Sequence, residues 1–142
     1  MNTALESIIP SNVTLSTRWS MESPETTESP SVRYNREDRL LIVSGNSSLE
    51  NAEDFYRPFV DQVYDDLHEK RSASVDFHLR VFGPKTAKVL FKFFENLKYF
   101  RLRNRAAKIT WKYDMGDESM RELGEAFSEL FDLNFELKAV VR

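Results

Sequence analysis

A strand pattern between two helical patterns is the feature that most restricts the fold of this chain. Residues 73–82, ASVDFHLRVF, alternate apolar and polar side chains, as in a strand with one covered face and one open face. Upstream, one helix face is marked by apolar residues four positions apart: Phe55, Phe59, Val63 and Leu67. Because helices join the strands on either side, the pattern predicts βαβ units and a mostly parallel sheet.

The same alternation continues to the end of the chain. Residues 86–97 predict a second helix, and AAKITWKYD predicts a strand with Ile109 and Trp111 on its core face. Asp117 is the expected N-cap of a third helix, whose inward residues should be Met120, Leu123, Phe127 and Leu130. NFELKAVV predicts the last strand. At the other end, RLLIVSG predicts a strand, and Ser47 followed by Glu50 has the form of a capping box.

Length and composition favour one folded domain with an N-terminal arm. The chain has 142 residues, the usual size of a single domain. Residues 1–31 include SMESPETTESPS, which is rich in Ser, Thr, Glu and Pro, so we expect a flexible arm there. Residues 32–142 should form a single α/β domain with helices mainly on one face of the sheet.

Composition excludes several classes of site. The chain has no Cys and only two His, so disulfides, thiol nucleophiles and Cys- or His-rich metal sites are not expected. Four glycines leave no phosphate-cradling loop, and we expect no cofactor. No apolar run reaches the ~20 residues of a membrane span, and the N terminus lacks a signal-peptide pattern. A cytoplasmic location is the resulting expectation.

Charge is distributed unevenly along the chain. Residues 85–112 are rich in Lys and Arg, and Glu95 is their only acidic side chain. This basic block has two explanations: a solvated helix face followed by a basic loop, or a surface for an anionic partner such as a nucleic acid.

The junction between the central strand and the second helix is a candidate binding site. Ligands of open α/β sheets usually bind at the carboxyl ends of the strands, next to helix N termini. We therefore predict that partner binding involves Gly83, Pro84, Lys85, Thr86 and Lys88. Thr86 is the only hydroxyl in this turn; as a phosphoacceptor it would gain about −1.5 to −2 charges, and otherwise it caps the helix.

His78 is a second candidate, because it lies between Asp76 and Arg80 on the open face of the predicted strand. An imidazole near an acid and a base suits acid–base chemistry, so an enzyme centred on His78 is an alternative function. The other explanation is an ordinary strand surface.

Three segments carry a resemblance to a known family. SGNSSLENAEDFYRPFV resembles the Gly-x-Ser-x-Pro-Glu-Asn segment of the SiaC family of bacterial biofilm regulators. LRVFGPKTAKVLFKFFENL resembles that family's strand, Asn-Thr-Ser-Ser junction and following helix, and ITWKYDMGDESMRELGEAF resembles its Trp-x-Tyr-Asp and Glu-x-Gly-Glu signature. The resemblance runs from about Val32 to Leu137, and it implies a STAS-like fold.

The resemblance also implies a non-enzymatic signalling protein. In this family a partner kinase phosphorylates the Thr of Asn-Thr-Ser-Ser, a phosphatase reverses it, and the unphosphorylated form activates a diguanylate cyclase, which makes cyclic di-GMP. Here Pro84 stands where the acceptor Thr is expected, and Leu49 replaces the usual Pro. Proline cannot accept phosphate, so the phospho-switch is expected to be either lost, which fits Pro84 best, or moved to Thr86.

Overall fold

The computed structural model describes residues 19–141, which form one six-stranded sheet with three helices. The strands are β1 (Met21–Ser23), β2 (Ser31–Asn35), β3 (Leu40–Ser47), β4 (Ser72–Phe82), β5 (Ala106–Asp114) and β6 (Glu136–Val140). The helices are α1 (Ala52–Glu69), α2 (Pro84–Leu102) and α3 (Glu118–Leu130). In this part of the chain no helix combines the length and hydropathy needed to cross a bilayer.

The strands lie in the sheet in the same order as in the sequence. β1, β2 and β3 form an antiparallel meander, whereas β3 to β6 are parallel and are connected by α1, α2 and α3 in turn. In the centre, Phe77 pairs with Val43 on one side and with Trp111 on the other. The predicted α/β architecture with a mostly parallel sheet is therefore confirmed.

The core lies between the helices and one face of the sheet. Val75, Phe77 and Leu79 of β4 are almost completely buried there, as the alternating pattern predicted. Aromatic rings fill the space under α2 and α3, where Phe94 lies 5.0 Å from Phe135, measured between ring centroids. The other face of the sheet carries polar and charged side chains, so the helices cover one face only.

Local sequence signals set the starts of two helices. Gly83 is the N-cap of α2 in an extended conformation, and Pro84 occupies the first helical turn, where its missing N–H costs nothing. The Asp117 carboxylate accepts a hydrogen bond of 3.1 Å from the Met120 amide at the start of α3. The predicted N-cap role of Asp117 is thus confirmed.

Two local predictions are wrong. Ser47 does not cap α1: it is the last residue of β3, paired with Phe82, and Asn51 precedes the helix without a side-chain cap. Pairing with β4 keeps Ser47 in the strand and turns its side chain towards the core. Leu130 is 58% exposed instead of inward, because α3 ends there and Phe131 takes the core position.

The sheet begins inside the segment expected to be an arm. β1 pairs with β2, with Met21 opposite Tyr34, and the side chains of Met21 and Ser29 are buried. The folded part therefore starts about ten residues before the expected boundary between residues 31 and 32. Residues 1–18 of the expected arm lie outside the described part of the chain.

Candidate functional site

The junction after β4 is held against the end of β3. The Gly83 amide donates a 2.8 Å hydrogen bond to the Ser47 carbonyl. Pro84, Lys85 and Lys88 are exposed at the surface, whereas Thr86 is fully buried. The five residues predicted to bind a partner therefore divide into an exposed basic rim and one interior hydroxyl.

Three buried hydroxyls form a chain beneath this rim. Ser47 Oγ lies 2.6 Å from Tyr56 Oη and 2.7 Å from Thr86 Oγ1, and the Thr86 hydroxyl donates to the Ser47 carbonyl at 3.2 Å. Because Thr86 donates to that carbonyl, it accepts from Ser47, which in turn accepts from Tyr56. Burial raises the pKa of Tyr56 to about 12, so its hydroxyl keeps the proton that this chain requires.

The hydroxyl chain joins three elements at one point. Ser47 belongs to β3, Tyr56 to the second turn of α1, and Thr86 to the first turn of α2. A phosphoacceptor needs an accessible oxygen, and the Thr86 oxygen is enclosed and engaged on both sides. The structure therefore gives Thr86 a structural role; a kinase would reach it only after the start of α2 had moved away from Ser47.

A groove of about 880 Å³ runs between α1 and α2, and the junction forms one end of it. The α1 wall is mainly acidic, with Glu50, Glu53, Asp54 and Asp61 beside Arg57, and the α2 wall is mainly basic, with Lys85, Lys88 and Lys92 beside Glu95. Of the predicted partner-binding residues, Lys85 and Lys88 thus belong to a much larger concave surface than the turn itself.

The floor of the groove is largely apolar and aromatic. Val60 and Phe93 line it, and the Tyr64 ring lies 5.9 Å from the Phe93 ring. Asn96 donates a 2.9 Å hydrogen bond to the Tyr64 hydroxyl, a polar contact that crosses from α2 to α1. A smaller concavity continues past this contact towards His68.

His78 lies on the open face of the sheet, as predicted. Its Nε2 is 2.8 Å from one Asp114 oxygen, and the other oxygen accepts from Arg80 Nε at 3.2 Å. Asp76, the expected neighbour of His78, is instead 3.7 Å from Lys112. Each carboxylate is thus paired with a basic side chain on the same face, which suits a strand surface better than an acid–base site.

The basic block of residues 85–112 does not form one surface. Lys85, Lys88 and Lys92 line the groove on the helix side, whereas Lys112 lies on the opposite face of the sheet with Asp76. The helix lysines and Lys112 are therefore not part of one continuous basic surface. No cluster of His, Asp and Glu suited to a metal ion occurs in residues 19–141.

Sequence reasoning missed Ser47, Tyr56 and the groove. Two sequence signals pointed to them. Ser47 continues the inward set of β3 two residues after Gly45, and the lysines of α2 recur at three- and four-residue spacing on one helix face.

Comparisons with known proteins agree with the fold. The model of the SiaC family of regulatory phosphoproteins matches residues 23–140. Comparison with curated proteins gives no match. A chain in the crystal structure of the diguanylate cyclase SiaD with its activator SiaC, from Pseudomonas aeruginosa, is similar with a TM-score of 0.78 and 22% identity over 84% of this chain and 98% of that one. Apo-SiaC from the same organism gives 0.73 and 19% over 83% and 97%.

Proposed function

This chain belongs to the SiaC family of regulatory phosphoproteins, and we propose that it is a non-enzymatic protein that binds and controls a diguanylate cyclase. The likeness to SiaC, which was crystallised as the activator of the diguanylate cyclase SiaD, supports this class of partner. The single observation that carries the proposal is the groove between α1 and α2, with the junction at its end. It is a large concave surface with an aromatic floor, and its charged rim is open to a protein partner.

The absence of catalytic activity is part of the proposal. His78 and Asp114 lie on the face of the sheet that no helix covers, and the Asp114 carboxylate is paired with Arg80 at 3.2 Å. A catalytic pair needs a concave site that excludes water and positions a substrate. Purified protein should therefore show no turnover that His78→Ala removes.

We also propose that the phospho-switch has been lost. Pro84 occupies the acceptor position of the family motif, and the Thr86 hydroxyl is buried in the chain with Ser47 and Tyr56. A cognate kinase and phosphatase, expected from the resemblance, would then have no acceptor at this junction. Partner binding would be constitutive and set by the amount of protein.

Cyclic di-GMP synthesis by the diguanylate cyclase that co-purifies with the chain tests the main proposal. We expect synthesis to change when the full chain is added, and Lys85→Glu to weaken the complex because it reverses a charge at the rim of the groove. Lys138→Glu is the matched control, since Lys138 is exposed on β6, away from the groove. Equal effects of the two variants, or no effect of the chain on the cyclase, would contradict the proposal.

Intact-mass measurement of protein isolated from its native cell tests the lost switch. We expect no phosphate on the junction. A phosphate mapped to Thr86 would refute this part and would show that the hydroxyl chain opens in the cell. The cytoplasmic location expected from the sequence stays a prediction, which cell fractionation tests directly.

A further inference from the structure

The groove between α1 and α2 carries opposite charges on its two walls, and no ion pair of residues 19–141 crosses it. The nearest ion pairs stay within α1, where Arg57 contacts Glu53 and Asp54 at 3.6 and 3.2 Å. Arg57 therefore compensates part of the acidic wall. In residues 19–141, Glu50 and Asp61 on that side and Lys85, Lys88 and Lys92 on the other side form no ion pair within 4.0 Å.

On the open face of the sheet, in contrast, acidic side chains pair with basic ones. There Asp114 contacts both His78 and Arg80, and Asp76 contacts Lys112. That face gains little from a charged partner, because binding would first have to break existing pairs. In the groove, Glu50, Asp61 and the three lysines have no ion pairs to break, so a partner can neutralise these charges without disrupting existing contacts.

The spacing along the walls matches a helix. Lys85, Lys88 and Lys92 are three and four residues apart, which places their backbones ~4.5 and ~6 Å apart along α2. A partner helix repeats side chains at the same intervals, whereas an extended strand repeats them every ~6.6 Å and drifts out of phase. From Lys85 to Asn96 the groove is ~16 Å long, which is three helical turns.

The apolar floor of the groove sets a second requirement for a partner that binds there. Val60 and Tyr64 are partly exposed between the charged walls, and the buried Phe93 ring supports Tyr64 from below. A helix seated there buries one apolar row and places one flank against each wall, which is the helix-in-groove mode of recognition. The flank on the α2 side must be acidic and the flank on the α1 side must be basic.

We infer that this groove binds an amphipathic helix of the partner whose apolar row is flanked by an acidic row on one side and a basic row on the other. This rests on the proposed function and specifies what the partner must present. A uniformly acidic or uniformly basic helix matches one wall and is repelled by the other, so the groove selects for the arrangement of charge and not for net charge.

Binding of three designed peptides to the full chain tests the inference. Each peptide is a helix of roughly 18 residues with a central row of Leu. The flanking rows are Glu and Lys in the first peptide, Glu and Glu in the second, and Lys and Lys in the third. We expect the mixed peptide to bind about tenfold tighter than either of the others at low salt, and the advantage to shrink as salt is raised.

Charge-reversal variants should move this preference in opposite directions. Lys88→Glu with Lys92→Glu makes both walls acidic, so the all-Lys peptide should become the tightest. Glu50→Lys with Asp61→Lys makes both walls basic, so the all-Glu peptide should become the tightest. The single variants Lys92→Glu and Asp61→Lys, which should shift the ranking in the same directions, keep the test decisive if a double variant does not fold.

The matched control for Lys88→Glu with Lys92→Glu is Lys108→Glu with Lys138→Glu, which makes the same change in net charge on the strands β5 and β6. It should leave the peptide ranking unchanged. An unchanged ranking in the groove variants, a control that shifts the ranking equally, or no binding of the mixed peptide would overturn the inference.

Cyclase assays with the same variants separate this inference from the proposed function. If the chain shows no preference for the mixed peptide but still controls the cyclase, only the inferred charge pattern of the bound helix is wrong. Peptide selectivity without any effect on the cyclase overturns only the proposed function and leaves the groove as a helix-binding site.

Discussion

Replacing Thr86 by Val tests whether the buried hydroxyl chain holds the junction in place. Val has nearly the same shape as Thr but neither donates nor accepts a hydrogen bond. Its methyl groups would fill the site at the start of α2, while the Ser47 hydroxyl would lose the oxygen it donates to, 2.7 Å away. The Ser47 carbonyl would keep its bond from the Gly83 amide.

The expected loss of stability follows from that single unpaired donor. A buried polar group left without a partner costs about 1–3 kcal/mol, so Thr86→Val should lower the free energy of unfolding by that amount. Thr86→Ser keeps the hydroxyl and removes one methyl group, which costs about 1 kcal/mol. We therefore expect Val to be worse than Ser, although Val fills the site better.

Urea denaturation of the two variants and the wild type measures this order. Tyr56→Phe removes the other end of the chain, and the double variant Tyr56→Phe with Thr86→Val should show a coupling energy above about 0.5 kcal/mol, since both residues bond to Ser47 Oγ. Stability of Thr86→Val equal to or above that of Thr86→Ser would refute the reasoning, because packing alone would then explain the site.

The same geometry affects how a phosphomimetic variant is understood. Thr86→Glu would place a carboxylate in a closed site with Ser47 and Tyr56, which is costly without a compensating charge. We expect it to unfold the start of α2. Loss of partner binding in Thr86→Glu would then report lost structure, and its melting temperature should be measured beside its affinity.

Three further predictions concern the core and its pH dependence. Gly124→Ala, normally stabilising in a helix, should instead destabilise by about 1–3 kcal/mol, because an added Cβ would overlap the Trp111 ring. A more stable variant in thermal melting would show that this contact relaxes freely. Phe93→Ala and Trp111→Ala should each cost about 3–5 kcal/mol, since both side chains are buried; losses below ~1 kcal/mol in urea would place them outside the core. Burial raises the pKa of Asp66 above 3.8, so the stability that its protonation contributes is fully present below that value and is lost as pH rises through the raised pKa. Asp66→Asn, which still accepts from the Tyr34 hydroxyl, should therefore match or exceed the wild type at pH 7 and lose that advantage in acid; an advantage that grows as pH falls would contradict the assignment.

The sequence alone determined the order of the three helices and of the parallel strands β3 to β6, and the inward faces of β4 and β5. These features depend on local periodicity, which residues 73–82 express clearly, and on local signals such as Gly83-Pro84 and Asp117 at helix starts. The junction was found in the same way, because a strand end followed by a helix start is visible in a few consecutive residues. The resemblance to the SiaC family added the expected partner class.

Tertiary structure decided what each residue of the junction does. Ser47 and Glu50 carry a local capping signal, but pairing of β3 with β4 keeps Ser47 in the sheet and brings it to Thr86, 39 residues away. The sequence does not distinguish an exposed hydroxyl side chain from a buried one, because burial depends on packing against another element. The groove arises for the same reason: its acidic and basic walls come from two helices separated by a strand, so their opposition exists only once α1 and α2 lie side by side on the sheet.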